Sequence, residues 1–212
     1  MIDKDKDGKT YLYFVASLTN LEFTSSESQL IKLDTETDRI VLDKSLIDSK
    51  GNRIVATDDK RIYLTGQGQI VGYDKITGVV SKIYTLPAYE RRLYGAGNCI
   101  VKNNKIFAPT NYPSFMCYDV EATNILWSED GVSTSSSSKL HYHNGIVYYT
   151  SSSDGFLHAM GENGKRFWKA MSPDKKGAGD GSFGNVMTID ETENRLYVST
   201  YYNACCYETI KM

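Results

Sequence analysis

The sequence is short of most residues that announce a chemistry. Three histidines and four cysteines are scattered through 212 residues. No two cysteines stand in a CxxC spacing that would suggest zinc, and four in a chain of this length make no disulfide framework. An excess of one charge is also missing. With 24 Lys and Arg against 26 Asp and Glu, the net charge of −2 leaves no basic surplus to spread over the phosphates of a nucleic acid. No apolar run approaches the roughly 18 residues of a membrane span. The opening Met1-Ile2-Asp3-Lys4-Asp5-Lys6-Asp7 has no apolar stretch of the kind a signal peptide uses. That leaves open a cytoplasmic chain or an exported one that has lost its N-terminal part. Long amphipathic helices are absent as well, because no stretch of roughly 12 residues keeps apolar positions three and four apart between turn signals.

What is plentiful points one way. The chain has 16 Tyr, 7 Phe and 2 Trp with 17 Gly and only 4 Pro, a mixture suited to short, half-buried strands joined by tight turns. A hydrophobic content of 41% is enough for a packed core and too much for a disordered tail. An apolar residue followed by an aromatic opens a β-run at Leu12-Tyr13, Ile62-Tyr63, Ile106-Phe107, Val147-Tyr148 and Leu196-Tyr197. The intervals of 50, 44, 41 and 49 residues amount to a repeat period. After each pair comes a turn and a second strand, which mostly ends in Asp: Leu30 to Asp34, Ile70 to Asp74, Phe115 to Asp119. In the fourth unit Phe156-Leu157-His158-Ala159-Met160 holds that place, with Met160 where Asp would be. A third strand then follows a turn such as Thr77-Gly78 or Asn163-Gly164, and carries Trp127 or Trp168, which lie 41 residues apart. One more strand precedes each pair, as in Arg53 to Ala56, Cys99 to Val101, Leu140 to His143 and Val186 to Ile189. Four antiparallel strands of about five residues, joined by hairpins, make one propeller blade. A lone blade cannot bury both its faces and must stack on neighbours.

Unit four carries a family resemblance. The stretch Asn144-Gly145-Ile146-Val147-Tyr148-Tyr149-Thr150-Ser151-Ser152-Ser153-Asp154-Gly155-Phe156-Leu157-His158-Ala159-Met160, followed by Asn163-Gly164-Lys165-Arg166-Phe167-Trp168, resembles the PQQ-like, or quinoprotein, β-propeller repeat. Units two and three match it moderately, and one and five loosely. The implied fold is all-β: one β-propeller domain over residues 1–212, with about five units near 1–45, 46–86, 87–130, 131–170 and 171–212. The ends predict about 19 strands. Met1 begins inside or just after the first strand of a blade, Cys205-Cys206-Tyr207 fills a third strand, and Met212 comes before a fourth. Propellers of this family usually close with more blades, so the sequence reads as a fragmentary propeller before a compact five-bladed ring. An open blade face and unpaired edge then invite self-association.

Several constellations suggest chemistry, and each has a plainer account. Asp3-Lys4-Asp5-Lys6-Asp7-Gly8 resembles the front of a calcium loop, but Tyr11 and Phe14 occupy its later ligand positions, and a charged hairpin explains it better. Gly179-Asp180-Gly181-Ser182-Phe183-Gly184 spells GxGxxG, yet a strand and not a helix follows, which makes it a blade-to-blade loop. His141 and His143 share a strand face, and His158 could join them as a metal ligand only from that same face. Adjacent cysteines lie over the quinone in some PQQ dehydrogenases. Cys205 and Cys206, however, fall in a strand where one side chain points to each side. The run Ser135 to Ser138 has no nucleophile elbow around it.

The resemblance and these readings together imply a non-catalytic scaffold that binds a protein partner through loops at one end of the blades, with no cofactor. Those loops are Leu86–Gly97, Thr110–Ser114, Lys169–Gly184 and Tyr201–Asn203, and Arg91, Arg92, Tyr112, Tyr201 and Tyr202 are the expected contact residues. Two alternatives stand beside it: a propeller that binds a carbohydrate or small ligand in a central channel, and a fragment of a PQQ-dependent dehydrogenase holding PQQ with calcium.

Overall fold

The computed structural model describes residues 2–4, 8–19, 26–46, 53–66, 69–85, 99–109, 114–121, 124–130, 140–151, 154–174 and 183–211. These form 19 β-strands and no helix, grouped in two compact units, Met1–Ala96 and Gly97–Met212.

Unit 1 holds two four-stranded sheets. The first runs β1 (Ile2–Lys4), β2 (Thr10–Thr19), β3 (Ser26–Asp34), β4 (Arg39–Leu46), and the second β5 (Arg53–Thr57), β6 (Arg61–Gly66), β7 (Gln69–Asp74), β8 (Val80–Thr85). Strand order follows chain order, and every neighbouring pair is antiparallel. Alternation along each strand sends every second side chain to the same face. Tyr11, Tyr13 and Leu30 of the first sheet thus meet Ile54, Ile62, Leu64 and Tyr73 of the second in one core.

Unit 2 repeats the scheme. Its sheets are β9 (Ile100–Lys102), β10 (Lys105–Pro109), β11 (Ser114–Asp119), β12 (Ile125–Asp130); then β13 (Leu140–His143), β14 (Ile146–Thr150), β15 (Phe156–Gly161), β16 (Arg166–Met171); and last the three strands β17 (Phe183–Asp190), β18 (Arg195–Thr200), β19 (Ala204–Glu208). The middle sheet is buried on both faces. One face packs Val147, Tyr149 and Met160 against Phe107, Phe115 and Cys117, and the other packs Ile146, Tyr148, Leu157 and Ala159 against Met187, Leu196 and Val198.

The turns show why these residues fold as they do. A strand-ending carboxylate accepts the backbone N–H groups two and three residues on, satisfying donors that the hairpin leaves over. Asp34 takes those of Glu36 and Thr37 at 2.9 and 3.1 Å, and Asp74 those of Ile76 and Thr77 at 2.8 and 2.7 Å. Asp190 takes Thr192 and Glu193 at 2.9 and 3.0 Å, and Asp119 takes Glu121 at 2.8 Å. The backbone hydrogen bonds given by Glu36 and Thr77 hold the Asp34 and Asp74 carboxyls below their ordinary range. β15 lacks the Asp, and Asn163 takes over by accepting the Lys165 N–H at 3.0 Å. The β9–β10 and β13–β14 hairpins turn on Asn103-Asn104 and Asn144-Gly145, all four at positive φ, as a two-residue turn between twisted strands requires.

At this turn end of unit 2 the two larger sheets are latched. Glu162 accepts from Asn103 at 2.6 Å, from Lys105 at 2.7 Å and from Tyr142, while its backbone carbonyl accepts the Trp127 indole N–H at 2.8 Å.

Candidate functional site

The opposite end of unit 2 carries the connection after β16 and the β14–β15 and β18–β19 hairpins. Tyr201 and Tyr202 form the tip of the last hairpin and are 83% and 81% exposed. Their rings lie 4.9 Å apart at 76°, edge to face. Two large aromatics held in water are unusual, because burial would stabilise each by roughly 2 kcal/mol or more.

The tip is pinned. The Thr200 N–H donates to the Asn203 carbonyl at 2.7 Å, and the Asn203 N–H donates back to the Thr200 hydroxyl at 2.8 Å. From the neighbouring sheet's connection, Asp174 receives the Tyr202 N–H at 2.9 Å on one carboxylate oxygen and the Asn203 side-chain amide on the other. The Thr200 hydroxyl, the Tyr202 N–H and the Asn203 amide together hold the Asp174 carboxyl below its usual value, against a smaller upward push from burial.

The anchor continues inward. The Asp174 N–H donates to the Ser172 hydroxyl at 3.3 Å, and the Ser172 N–H donates to the Gly155 carbonyl at 3.3 Å. Within the β14–β15 hairpin Asp154 accepts the Phe156 N–H at 3.1 Å and lies 3.1 and 3.3 Å from His158 Nε2. A carboxylate only accepts, so Nε2 carries the proton. Burial alone would raise the Asp154 carboxyl, but the bonds from His158 and Ser151 outweigh it and bring it down to about 2. His158 is fully buried and stacks on Tyr149 at 4.8 Å, which stacks on Phe115 at 4.1 Å. A continuous path therefore runs from the aromatic core of unit 2 to the exposed tyrosine pair.

The expected contact residues part company here. Tyr201 and Tyr202 come together, whereas Arg91, Arg92 and Tyr112 lie outside the described residues, as do Ser135 to Ser138 and Gly179 to Ser182. Asp174 and Asp154 were not singled out in the sequence. The signal available for Asp174 was a Pro-Asp directly after a strand, in the connection facing a Tyr-Tyr hairpin.

The other constellations resolve as follows. Asp3 sits on β1 opposite Tyr11, ion-paired to Lys75 and reached by the Thr57 hydroxyl at 3.3 Å, while 5–7 lie outside the described residues. His141 shares its face with Tyr148 and donates to the Met187 carbonyl at 2.7 Å, toward the last sheet. His158, stacked on Tyr149, is on the other face, so the three imidazoles do not converge. Cys205 is half-buried against the β17–β19 core and Cys206 is exposed, and both are free thiols. Trp127 and Trp168 are packed, the first against Phe107 and Phe115 and the second against Tyr148 and Tyr207.

A family model described as outer membrane protein assembly factor BamB, built on the PQQ-type repeat, matches residues 51–170. The structure is similar to the crystal structure of BamB from Moraxella catarrhalis, with a TM-score of 0.64 and 14% identity over 91% of this chain and 60% of that one. It is also similar to two computationally designed proteins. For Ika8 the TM-score is 0.58 at 12% identity, over 86% of this chain and 55% of that one. For Ika4 it is 0.54 at 12% identity, over 78% and 96%. The chain thus spans 60% of the BamB chain it matches. No curated protein sequence matches it. The likenesses in structure establish the fold, an all-β arrangement of propeller blades.

Proposed function

The chain belongs to the PQQ-type repeat family described as outer membrane protein assembly factor BamB, and on that footing we propose that it is a non-catalytic scaffold that holds a protein partner at the Tyr201-Tyr202 tip. The observation that carries this reading is the pairing of extreme exposure with firm anchorage: two tyrosines above 80% exposed, on a hairpin clamped by Asp174. Tyrosine is among the residues that dominate interface energetics, since it brings a large amphipathic surface with few rotors to immobilise. A tip fixed before contact loses little further entropy on binding. The engagement of both tryptophans in sheet packing supports a scaffold over a quinone site, whose ring needs an aromatic floor.

The test is affinity capture with the wild-type chain and with Tyr201→Ala and Tyr202→Ala. Each truncation is expected to weaken partner capture about thirtyfold, the roughly 2 kcal/mol of an interface hot spot, with the far-UV circular dichroism unchanged. Asp174→Ala, which frees the tip without removing a ring, is expected to weaken capture less. Undiminished capture by the double tyrosine variant overturns the proposal.

A further inference from the structure

Each four-stranded sheet carries one residue too many in its fourth strand. In the first, Lys32 faces Leu42 and Leu33 faces Ile40, which leaves Val41 without an opposite residue. Ile83 is left over in the same way between Lys82 and Tyr84, which face Val71 and Ile70. Leu126 is left over between Ile125 and Trp127, which face Tyr118 and Cys117, and Phe167 between Arg166 and Trp168, which face Met160 and Ala159. The ladders between second and third strands, β2–β3, β6–β7, β10–β11 and β14–β15, run without a shift. Four bulges in the same strand of four sheets belong to the repeat itself.

An edge strand offers its unpaired N–H and C=O groups to any other strand that comes near. Among the described residues β4, β8, β12 and β16 each pair on one side only. None of the four contains proline, and each bulge falls in an apolar stretch: Ile40-Val41-Leu42, Ile83-Tyr84, Ile125-Leu126-Trp127 and Phe167-Trp168. Those stretches are where strand addition is most favourable. The covered edge of the middle sheet of unit 2 gives the contrast, since β13 lies beside β9 and β17 and its ladder with β14 is unbroken. Core packing does not call for the extra residues either. Val41 is 52%, Leu126 43% and Phe167 40% exposed, and none of them belongs to the core clusters described above. Phe167 lies against Gly161 of its own sheet.

We propose that Val41, Ile83, Leu126 and Phe167 are edge guards: each breaks the even spacing of backbone donors and acceptors along its strand, so that no further strand, from a second copy or from another protein, adds there. A bulge also steepens the local twist, which carries the rest of the edge away from a straight partner. The inference concerns these edges alone. Substitutions at Tyr201 or Tyr202 leave it untouched, so it stands or falls separately from the scaffold reading.

The test is to delete the extra residue. Without Leu126, Ile125 still faces Tyr118 and Trp127 still faces Cys117, now in an even ladder. Deletions of Val41, Ile83, Leu126 and Phe167 are made singly and checked for folding by circular dichroism. Each folded variant is expected to at least double its mass over the wild type, measured by light scattering at tens of micromolar. Hydrogen exchange in the edited strand is expected to slow about tenfold as the variant associates, because its outward amides become paired. Leu126→Ser keeps the bulge while removing the apolar side chain, and is expected to retain the wild-type mass. A folded deletion variant with the wild-type mass overturns the proposal, as does association without added protection in the edited strand. Association of Leu126→Ser to the same extent overturns it too. If none of the four deletions folds, the bulge is a requirement of packing and the proposal falls.

Discussion

Trp127 lies so close over Gly164 that the glycine has no room for a side chain. A Cβ built there would sit 2.8 Å from the indole Cγ, and its φ of 81° is one that other residues adopt at a cost. The left-handed conformation costs about 1–2 kcal/mol and overpacking another 1–3 kcal/mol. Gly164→Ala is therefore expected to destabilise the fold by roughly 2–5 kcal/mol, read as a lower urea midpoint at unchanged slope. Gly78, also at positive φ but with only the Tyr73 hydroxyl at 3.8 Å from its Cβ position, is expected to cost about 1 kcal/mol when replaced by Ala. The sequence shows Asn163-Gly164 as a turn and Trp127 as a strand residue. It does not show that the two meet, because that contact joins neighbouring sheets and depends on three-dimensional spacing alone.

Among the elements, the β14–β15 hairpin responds most directly to pH. Asp154, at about 2 in the folded chain against an ordinary value of 3.8, favours the folded state while ionised. Its contribution is fully present above about pH 4 and is lost as the pH falls toward 2, in all about 2 kcal/mol. Asp154→Asn is expected to lower thermal stability at pH 7 and to flatten its decline between pH 4 and 2, measured by circular dichroism melts against the wild type. Should the two decline in parallel, the carboxylate has no such role. At this scale much was legible beforehand. The recurring apolar-aromatic pairs fall on β2, β6, β10, β14 and β18, and the second strands expected to end in Asp are β3, β7 and β11. Alternation and turn chemistry are local and can be read from a string of residues. Face-to-face relations were less legible. His141 and His143 were placed together correctly by period, but the side taken by His158 follows from the register of β14 on β15, which no single strand encodes.

Within each unit the sheets form an array in which each is stabilised by its neighbours, and such arrays lose the strict cooperativity of a compact globule. The cores bear this out among the described residues, with one cluster shared by the two sheets of unit 1 and two successive clusters threading the three sheets of unit 2. Legibility ends here too. The repeat period announces blades, but the exposed Tyr201-Tyr202 tip and its Asp174 clamp arise where two sheets' loops meet, and the sequence marked only the tyrosines. A local perturbation should accordingly stay local. Leu64, fully buried between the sheets of unit 1, is the sharpest place to apply one. Leu64→Ala removes three carbons from a packed core and is expected to cost about 2–5 kcal/mol. Hydrogen exchange is expected to show this as lost protection in β2, β3, β6 and β7, while the amides of β14, β15 and β18 keep wild-type rates. Both tryptophans belong to unit 2, so their fluorescence midpoint in urea is expected to stay where it is while the circular dichroism transition broadens toward lower concentration. Equal loss of protection in every strand would mean that the sheets unfold as one, and that nearest-neighbour packing is not what limits the array.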